Sequence, residues 1–169
     1  TSTIEVSIRS LNLLISMDLV TDAKNWDKMH ASVIKSIREH GRFIEHNLEI
    51  GVQNNKIIFG NHYLSNICAL SIIGMVCKSI PESEYWAKNG IIALENAINE
   101  MVFNDGFYFE SSTSYHRFAI ELFLYPFIIG KQSGHKFSEN YVKNLLNMLE
   151  IIEHLNTPEG TIPQIGDND

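Results

Sequence analysis

The sequence predicts an all-α domain of about six antiparallel helices, and three observations support this fold class. Apolar residues recur at spacings of three and four along most of the 169-residue chain. Residues that end helices, chiefly Gly, Pro, Asp and Asn, gather between these stretches. The links are short, which favours antiparallel neighbours. The chain is long enough for one domain with a real core, and we assign residues 1–169 to it.

Capping residues and apolar stripes place the individual helices. Thr21 or Asp22 can cap the second helix, Ser83 can cap the fourth, and Ser112 or Thr113 can begin the fifth. The third stretch is apolar almost all round, which predicts a buried helix. The six expected helices span residues 4–19, about 22–48, 61–77, 83–101, about 112–129 and about 138–155.

The segments between the helices contain turns and short extended pieces. Gly51 to Asn55 is expected to turn, and Lys56 to Phe59 to be extended. The loop from Phe103 to Phe109 is built around the turn dipeptide Asp105-Gly106 and has room for two short strands. Pro126 is expected to kink the fifth helix.

Composition and charge exclude several classes of protein. The net charge of −7 argues against a nucleic-acid binder, although an acidic ligand remains compatible with it. No apolar run reaches the roughly 18 residues that a membrane span needs. Cys68 and Cys77 would lie about 13 Å apart in one helix, so we expect two buried free thiols. We expect no metal site, because ligand spacing is absent, and no cofactor.

Helix alternation predicts that distant polar residues meet at one end of the domain. The first, third and fifth helices point one way, so the N-termini of the third and fifth share an end. That end also receives the C-termini of the other three helices. We therefore expect one face to collect the loop at Asp105, the tail at residues 166–169, and the side chains of Asn61, His62, Tyr115 and His116.

These residue types suit the removal of a proton next to a carboxylate. A helix N-terminus favours a bound anion, and Asn61 and His62 can donate hydrogen bonds to it. Tyr115 lies beside His116 and Arg117 and can act as an acid or a base if its proton affinity is tuned. In a uronic acid, a neutralised carboxylate lets a base take the C5 proton and expel the 4-linked sugar. This β-elimination needs no external cofactor.

Each of these residues also has a purely structural interpretation, which the sequence leaves open. Asn61 could cap the third helix, His62 could be an exposed first-turn residue, and Tyr115 could be a core residue with a satisfied hydroxyl. Asp105 and Glu110 could be turn and capping acids.

The chain resembles the heparinase II/III-like polysaccharide lyases in an ordered set of motifs. The most specific is Asp-Gly followed by Glu-x-Ser-x-x-Tyr-His, which ends at Tyr115-His116. The motifs cover nearly the whole chain and lie at residues 9–12, 60–66, 105–116, 158–163 and 166–169.

The resemblance implies an incomplete (α/α) toroid that cleaves acidic polysaccharide by β-elimination. By matched position, Asn61 and His62 neutralise the substrate carboxylate, and Tyr115 is the catalytic acid and also a candidate base. His116, Arg117 and Glu110 are then supporting or substrate-binding residues. A periplasmic or secreted location in a bacterium also follows from the resemblance.

The resemblance further implies a C-terminal β-sandwich domain that packs on the site face and supplies a His or second Tyr. The chain begins at Thr1 and stops at Asp169, so we expect a truncated helical part that folds but cleaves substrate poorly or not at all alone.

Two other functions remain open. A glycan-binding module would hold the polymer without cleaving it. A glycoside hydrolase on the same fold would use Asp105 and Glu110 as paired carboxylates. The sequence does not select the polymer, since few basic residues lie near the proposed site: Arg9, Arg42, Lys56 and Arg117.

Overall fold

The computed structural model describes residues 2–22, 24–53 and 56–168, without the side chains of Gln53, Lys56 and Ile57. The described residues form six helices and two short strands, which confirms the predicted all-α class. In chain order they are α1 (Thr3–Leu19), α2 (Trp26–His46), β1 (Gly51–Gln53), β2 (Lys56–Ile58), α3 (Asn61–Val76), α4 (Ser83–Met101), α5 (Thr113–Gln132) and α6 (Glu139–Leu155).

Most helix ends lie within a few residues of their predicted positions, but α2 begins later than expected. Its N-cap is Asn25, in the left-handed conformation at φ 71°, rather than Thr21 or Asp22. Asn tolerates this conformation, and the carbonyl of Asn25 accepts hydrogen bonds from Lys28 and Met29. Pro126 lies inside α5, which continues to Gln132.

The segments between the helices differ from expectation in two places. Gly51–Gln53, predicted as part of a turn, pairs antiparallel with Lys56–Ile58. Asn54 and Asn55 of that predicted turn lie outside the described residues. The loop before α5 carries one isolated bridge, between Val102 and Tyr108, in place of two strands.

The helices pack in two layers around α3. One layer contains α1, α3 and α5 in that order, and α2, α4 and α6 lie against it. The side chains from Leu64 to Met75 are all buried, as the apolar composition of α3 predicts. Cys68 and Cys77 are buried free thiols, and burial raises the pKa of Cys77 to about 11.

Small residues allow α3 and α4 to approach closely. A Cβ built on Gly74 would collide with the backbone nitrogen of Ala87, and one on Gly90 would lie 2.7 Å from the Cβ of Ser71. The two helices run antiparallel, so the start of α4 meets the end of α3. This close packing fixes the position of α3, whose other end carries Asn61 and His62.

None of the helices in the described ranges combines the length and the apolar character that crossing a bilayer requires.

Candidate active site

The starts of α1, α3 and α5 gather at one end of the domain, as helix alternation predicts. Ile4 at the start of α1 and His62 at the start of α3 both contact Glu49. Asn61 contacts Glu110, which lies in the loop that leads into α5. The predicted convergence is therefore confirmed for the start of α3 and for the loop before α5, and the start of α1 lies at the same end.

The tail joins the same end of the domain. The hydroxyl of Ser112 donates to the Asp167 carbonyl at 2.5 Å. The hydroxyl of Ser114 contacts the side chains of Gln164 at 2.9 Å and Asn168 at 2.6 Å. The predicted gathering thus extends to residues 164–168, while Asp169 lies outside the described residues.

Asn61 is held at the start of α3 by the carboxylate of Glu110. The backbone N–H of Asn61 donates to Glu110 Oε1 at 3.0 Å, and its side-chain Nδ2 donates to Oε2 at 2.9 Å. The buried hydroxyl of Tyr108 donates to Oε1 at 3.3 Å. Gly60 is the N-cap, so Asn61 does not cap the helix. The carboxylate of Glu110, which lies outside α3, therefore accepts a backbone N–H that has no partner within the helix.

Of the two roles that the resemblance left open for Glu110, this geometry favours support over substrate binding. Its two oxygens accept three hydrogen bonds from Asn61 and Tyr108, and a carboxylate would repel a uronate. We therefore assign Glu110 to holding Asn61 rather than to binding substrate.

His62 lies in the first turn of α3 and is open to solvent. Its side chain is 54% exposed, and Nδ1 lies 3.3 Å from Glu49 Oε1. The contact with Glu49 engages Nδ1, so Nε2 is the nitrogen that can address a ligand. His62 is thus an exposed first-turn residue, as its structural interpretation expects. Its Nε2 is also placed to bind an anion.

Tyr115 occupies the first turn of α5, where Ser112 caps the helix as predicted. The backbone N–H of Tyr115 donates to the Ser112 hydroxyl at 3.3 Å. Its side chain is half-buried and packs against the core cluster that includes Leu64. The ring is therefore anchored by the core without being enclosed by it.

His116 is a buried structural histidine, and the predicted substrate contact is corrected accordingly. It is fully buried, Nδ1 accepts from the backbone N–H of Tyr108 at 3.0 Å, and Nε2 donates to the Met148 carbonyl at 3.0 Å. Its ring stacks on Phe107 with centroids 4.7 Å apart. Burial lowers the pKa of His116, although the Met148 carbonyl and the charge of Asp105 oppose the change. His116 is therefore neutral and ties α5 to α6 and to the preceding loop.

The neutral state of His116 predicts acid sensitivity. A histidine whose folded pKa is lowered stabilises the fold fully above about pH 6.5, its unfolded value, and less as the pH falls through the folded pKa. We expect the Tm of the intact protein to fall between about pH 7 and pH 5, and to fall less steeply in His116→Gln. Burial and the charge of Arg9 also lower the pKa of His40, so part of the slope should remain.

Thermal unfolding at several pH values measures this slope. His154→Gln, which replaces an exposed histidine of α6, is the matched control and should leave it unchanged. An identical slope in His116→Gln and the unmodified protein would contradict the assignment.

The basic residues predicted near the site are exposed wherever the structure describes their side chains. Arg117 is exposed and follows His116 in α5, while Arg9 and Arg42 are exposed on α1 and α2. The side chain of Lys56 lies outside the described residues. Arg117 is thus the predicted basic residue closest in sequence to Tyr115.

Asp105 behaves as a turn acid. Its Oδ1 accepts the backbone N–H of Phe107 at 2.9 Å, within its own loop. Both carboxylates thus accept hydrogen bonds from the protein itself, which disfavours their use as the paired acid and base of a glycoside hydrolase. Among the described residues, no three His, Cys, Asp or Glu side chains come together as metal ligands.

Sequence reasoning missed Glu49 and Asn66. Asn66 is fully buried in α3, accepts the backbone N–H of Glu49 at 2.9 Å, and donates to the Ser7 hydroxyl at 3.1 Å. A polar residue inside an otherwise apolar helix, four residues after His62, was the available signal for this contact. Glu49 itself carried no local signal.

The described residues form an all-α toroid-like domain of six helices in two layers. At its polar end, an amide and an imidazole lie in the first turn of α3, and a phenol lies in the first turn of the adjacent α5. The chain belongs to the family described as Heparinase II/III N-terminus, which it matches over residues 2–169.

Individual relatives agree with this family. The chain is 30% identical over 111 residues to a heparin-sulfate lyase of Pedobacter heparinus, covering 64% of this chain and 17% of that protein. It is 29% identical over 110 residues to a heparin-sulfate lyase of Bacteroides stercoris, covering 64% and 16%. The chain thus spans about a sixth of the length of these curated relatives.

The fold agrees with a solved structure as well. A heparinase III gene product superposes with a TM-score of 0.75 at 24% identity, over 95% of this chain and 24% of that one. At this identity the likeness supports the incomplete toroid architecture alone.

Proposed function

We propose that this chain is the helical part of a polysaccharide lyase that cleaves uronic-acid polymers by β-elimination. The observation that carries the proposal is the contact of Asn61, which precedes His62 in the first turn of α3, with Glu110 in the segment that leads to Tyr115 in α5. Heparin-sulfate lyases among the relatives support the same reaction class.

The carboxylate of the sugar is neutralised from the start of α3. Asn61 donates one amide N–H to Glu110, and the amide carries a second N–H for the substrate. His62 offers Nε2 from an exposed ring. When the C5 proton leaves, negative charge builds on this carboxylate, and fixed donors stabilise it most in the transition state.

Tyr115 transfers the proton. It lies in the first turn of α5, at the helix end whose positive field favours a bound anion such as the substrate carboxylate. A tyrosine in this position can donate a proton to the departing sugar oxygen and can also serve as the base. Arg117 is the exposed residue we assign to contact with the acidic polymer.

A second domain completes the site in this proposal. The family resemblance implies a C-terminal β-sandwich that packs on the site face and contributes a further His or Tyr. Residues 1–169 alone would then bind substrate weakly and turn it over poorly or not at all.

The test is an assay of the intact protein that contains this chain. It is incubated separately with heparin, heparan sulfate, hyaluronate and alginate, and the absorbance of unsaturated uronate at the new chain ends is followed. We expect this absorbance to rise with at least one polymer, and to stay flat with residues 1–169 alone.

Two results would overturn the lyase proposal. Chain shortening without a double bond would indicate a hydrolase, and binding of all four polymers without any cleavage would indicate a glycan-binding module. Full turnover by residues 1–169 alone would reject only the need for a second domain.

A further inference from the structure

The carboxylate of Glu49 joins the starts of two helices. Glu49 lies between α2 and β1, and its Oε2 accepts the backbone N–H of Ile4 at 2.7 Å. Its Oε1 accepts the hydroxyl of Ser2 at 2.9 Å and lies 3.3 Å from Nδ1 of His62. One carboxylate therefore satisfies the N-terminus of α1 and contacts the exposed imidazole of α3.

The backbone of Glu49 is held by a hydrogen bond as well as its side chain. Its N–H donates to the side-chain oxygen of Asn66, which is fully buried in α3. Asn66 follows His62 by four residues and so lies one helical turn further along the same face. The same stretch of α3 thus holds the backbone of Glu49 through Asn66 and meets its carboxylate through His62.

Glu49 carries its negative charge at neutral pH. Its partial burial raises the pKa of the carboxyl, but hydrogen bonds from Ser2, His62 and the Ile4 N–H outweigh burial and lower it overall. The N-terminus of α1 also favours this charge.

A charged Glu49 determines which nitrogen of His62 carries a proton. A carboxylate only accepts hydrogen bonds, so Nδ1 must be protonated to pair with it. If Nε2 also donates to a sugar carboxylate, the imidazole must carry both protons. An imidazolium between two carboxylates is favoured electrostatically, and its ring orientation is set by the fixed partner.

We propose that Glu49 is a positioning residue that holds His62 by Nδ1 and directs a protonated Nε2 toward the carboxylate of the substrate. This inference rests on the proposed lyase function. Glu49 itself does not touch substrate, and it acts through His62.

The first test is Glu49→Gln in the intact protein. An amide whose oxygen faces Ile4 turns its NH₂ toward His62, so Nδ1 becomes an acceptor and the ring keeps one proton, on Nε2, without the positive charge that strengthens its hydrogen bond to the sugar carboxylate. We expect kcat/KM to fall roughly 10- to 100-fold, as for loss of a charge-assisted hydrogen bond. Most of the loss should be in kcat, because the carboxylate gains charge in the transition state.

A double-mutant cycle separates positioning from simple structural support. In a His62→Ala background, Glu49→Gln has no imidazole to act on, so we expect its effect to shrink to less than about twofold. An equal effect in both backgrounds would overturn the proposal, because damage to the cap of α1 does not depend on His62.

Glu95→Gln is the matched control. Glu95 contacts the N-cap of α6 through the backbone N–H and hydroxyl of Ser138, as Glu49 contacts the start of α1. Both of these contacts are with Ser138 and neither involves a histidine. We expect Glu95→Gln to leave kcat and KM unchanged, and a loss as large as that of Glu49→Gln would contradict the proposal.

The second test measures which nitrogen of His62 carries a proton and does not need turnover. It therefore tests the role of Glu49 even if the proposed lyase function is wrong. In protein labelled with ¹⁵N-histidine, the His62 signals are assigned by their absence from His62→Ala. We expect Nδ1 to be protonated in the unmodified protein, and the ring to move toward the Nε2–H tautomer in Glu49→Gln. Identical ¹⁵N shifts in the two proteins would overturn the inference, whether or not the polymer is cleaved.

Discussion

Tyr115→Phe is expected to lower the kcat of the intact protein roughly 100- to 10,000-fold, the range that a positioned acid or base contributes. The ring is half-buried against the core, so phenylalanine should keep its packing. Only the proton-carrying hydroxyl is lost. Because the carboxylate donors on α3 are untouched, affinity for the polymer should change little. The measurement is the initial rate of unsaturated uronate formation, together with binding of the uncleaved polymer.

Tyr125→Phe is the matched control for this prediction. It removes the same hydroxyl from the same helix, ten residues and therefore about 15 Å further along α5. Tyr125 is 42% exposed, so the change costs no buried packing, and we expect normal turnover. If Tyr115→Phe retained more than about a tenth of the unmodified kcat, Tyr115 would not be the proton-transfer residue.

The general architecture could be predicted from the sequence because it depends on local patterns. The apolar composition of α3 predicts a helix buried on all sides, and alternating short links place the starts of α3 and α5 together. The late start of α2 at Asn25 was not predictable by the same reasoning. Thr21 and Asp22 are equally good capping residues, and only the tertiary fold selects among them.

The roles of individual polar residues were less predictable because their partners are distant in the chain. Glu110 and Asn61 are separated by 49 residues. Their pairing is visible only after the loop before α5 reaches α3. His116 stands between half-buried Tyr115 and exposed Arg117, so its position gave no sign of complete burial. The motif resemblance selected the candidate residues, but it did not separate those that face solvent from those that support them.

The second large effect is expected for Glu110→Ala, which leaves three hydrogen-bond donors without their acceptor. Asn61 is only half-buried and can be rehydrated, but the hydroxyl of Tyr108 lies in a side chain with 0% exposure. An unpaired buried donor costs about 1–3 kcal/mol, and the lost hydrogen bond at the helix terminus adds about 1 kcal/mol. We therefore expect the helical domain to lose about 2–4 kcal/mol of stability.

Hydrogen exchange of the intact protein locates this effect. Peptides that span the start of α3 should exchange faster in Glu110→Ala, because the backbone N–H of Asn61 loses its acceptor. Peptides from the middle of α6 serve as the internal reference. Turnover should fall as well, since the amide of Asn61 is no longer held in one orientation for the sugar carboxylate.

Tyr108→Phe shows whether the buried hydroxyl accounts for the stability loss. Alone it removes one of the three donors to Glu110 and should cost about 1 kcal/mol. In its background, Glu110→Ala no longer leaves a buried donor unpaired, so the further loss should be smaller than in the unmodified protein. Strictly additive losses would mean that the Tyr108 hydroxyl finds another partner. Exchange at the start of α3 that stays slow in Glu110→Ala would mean that this helix end does not depend on Glu110, and Asn61 would then need a different support.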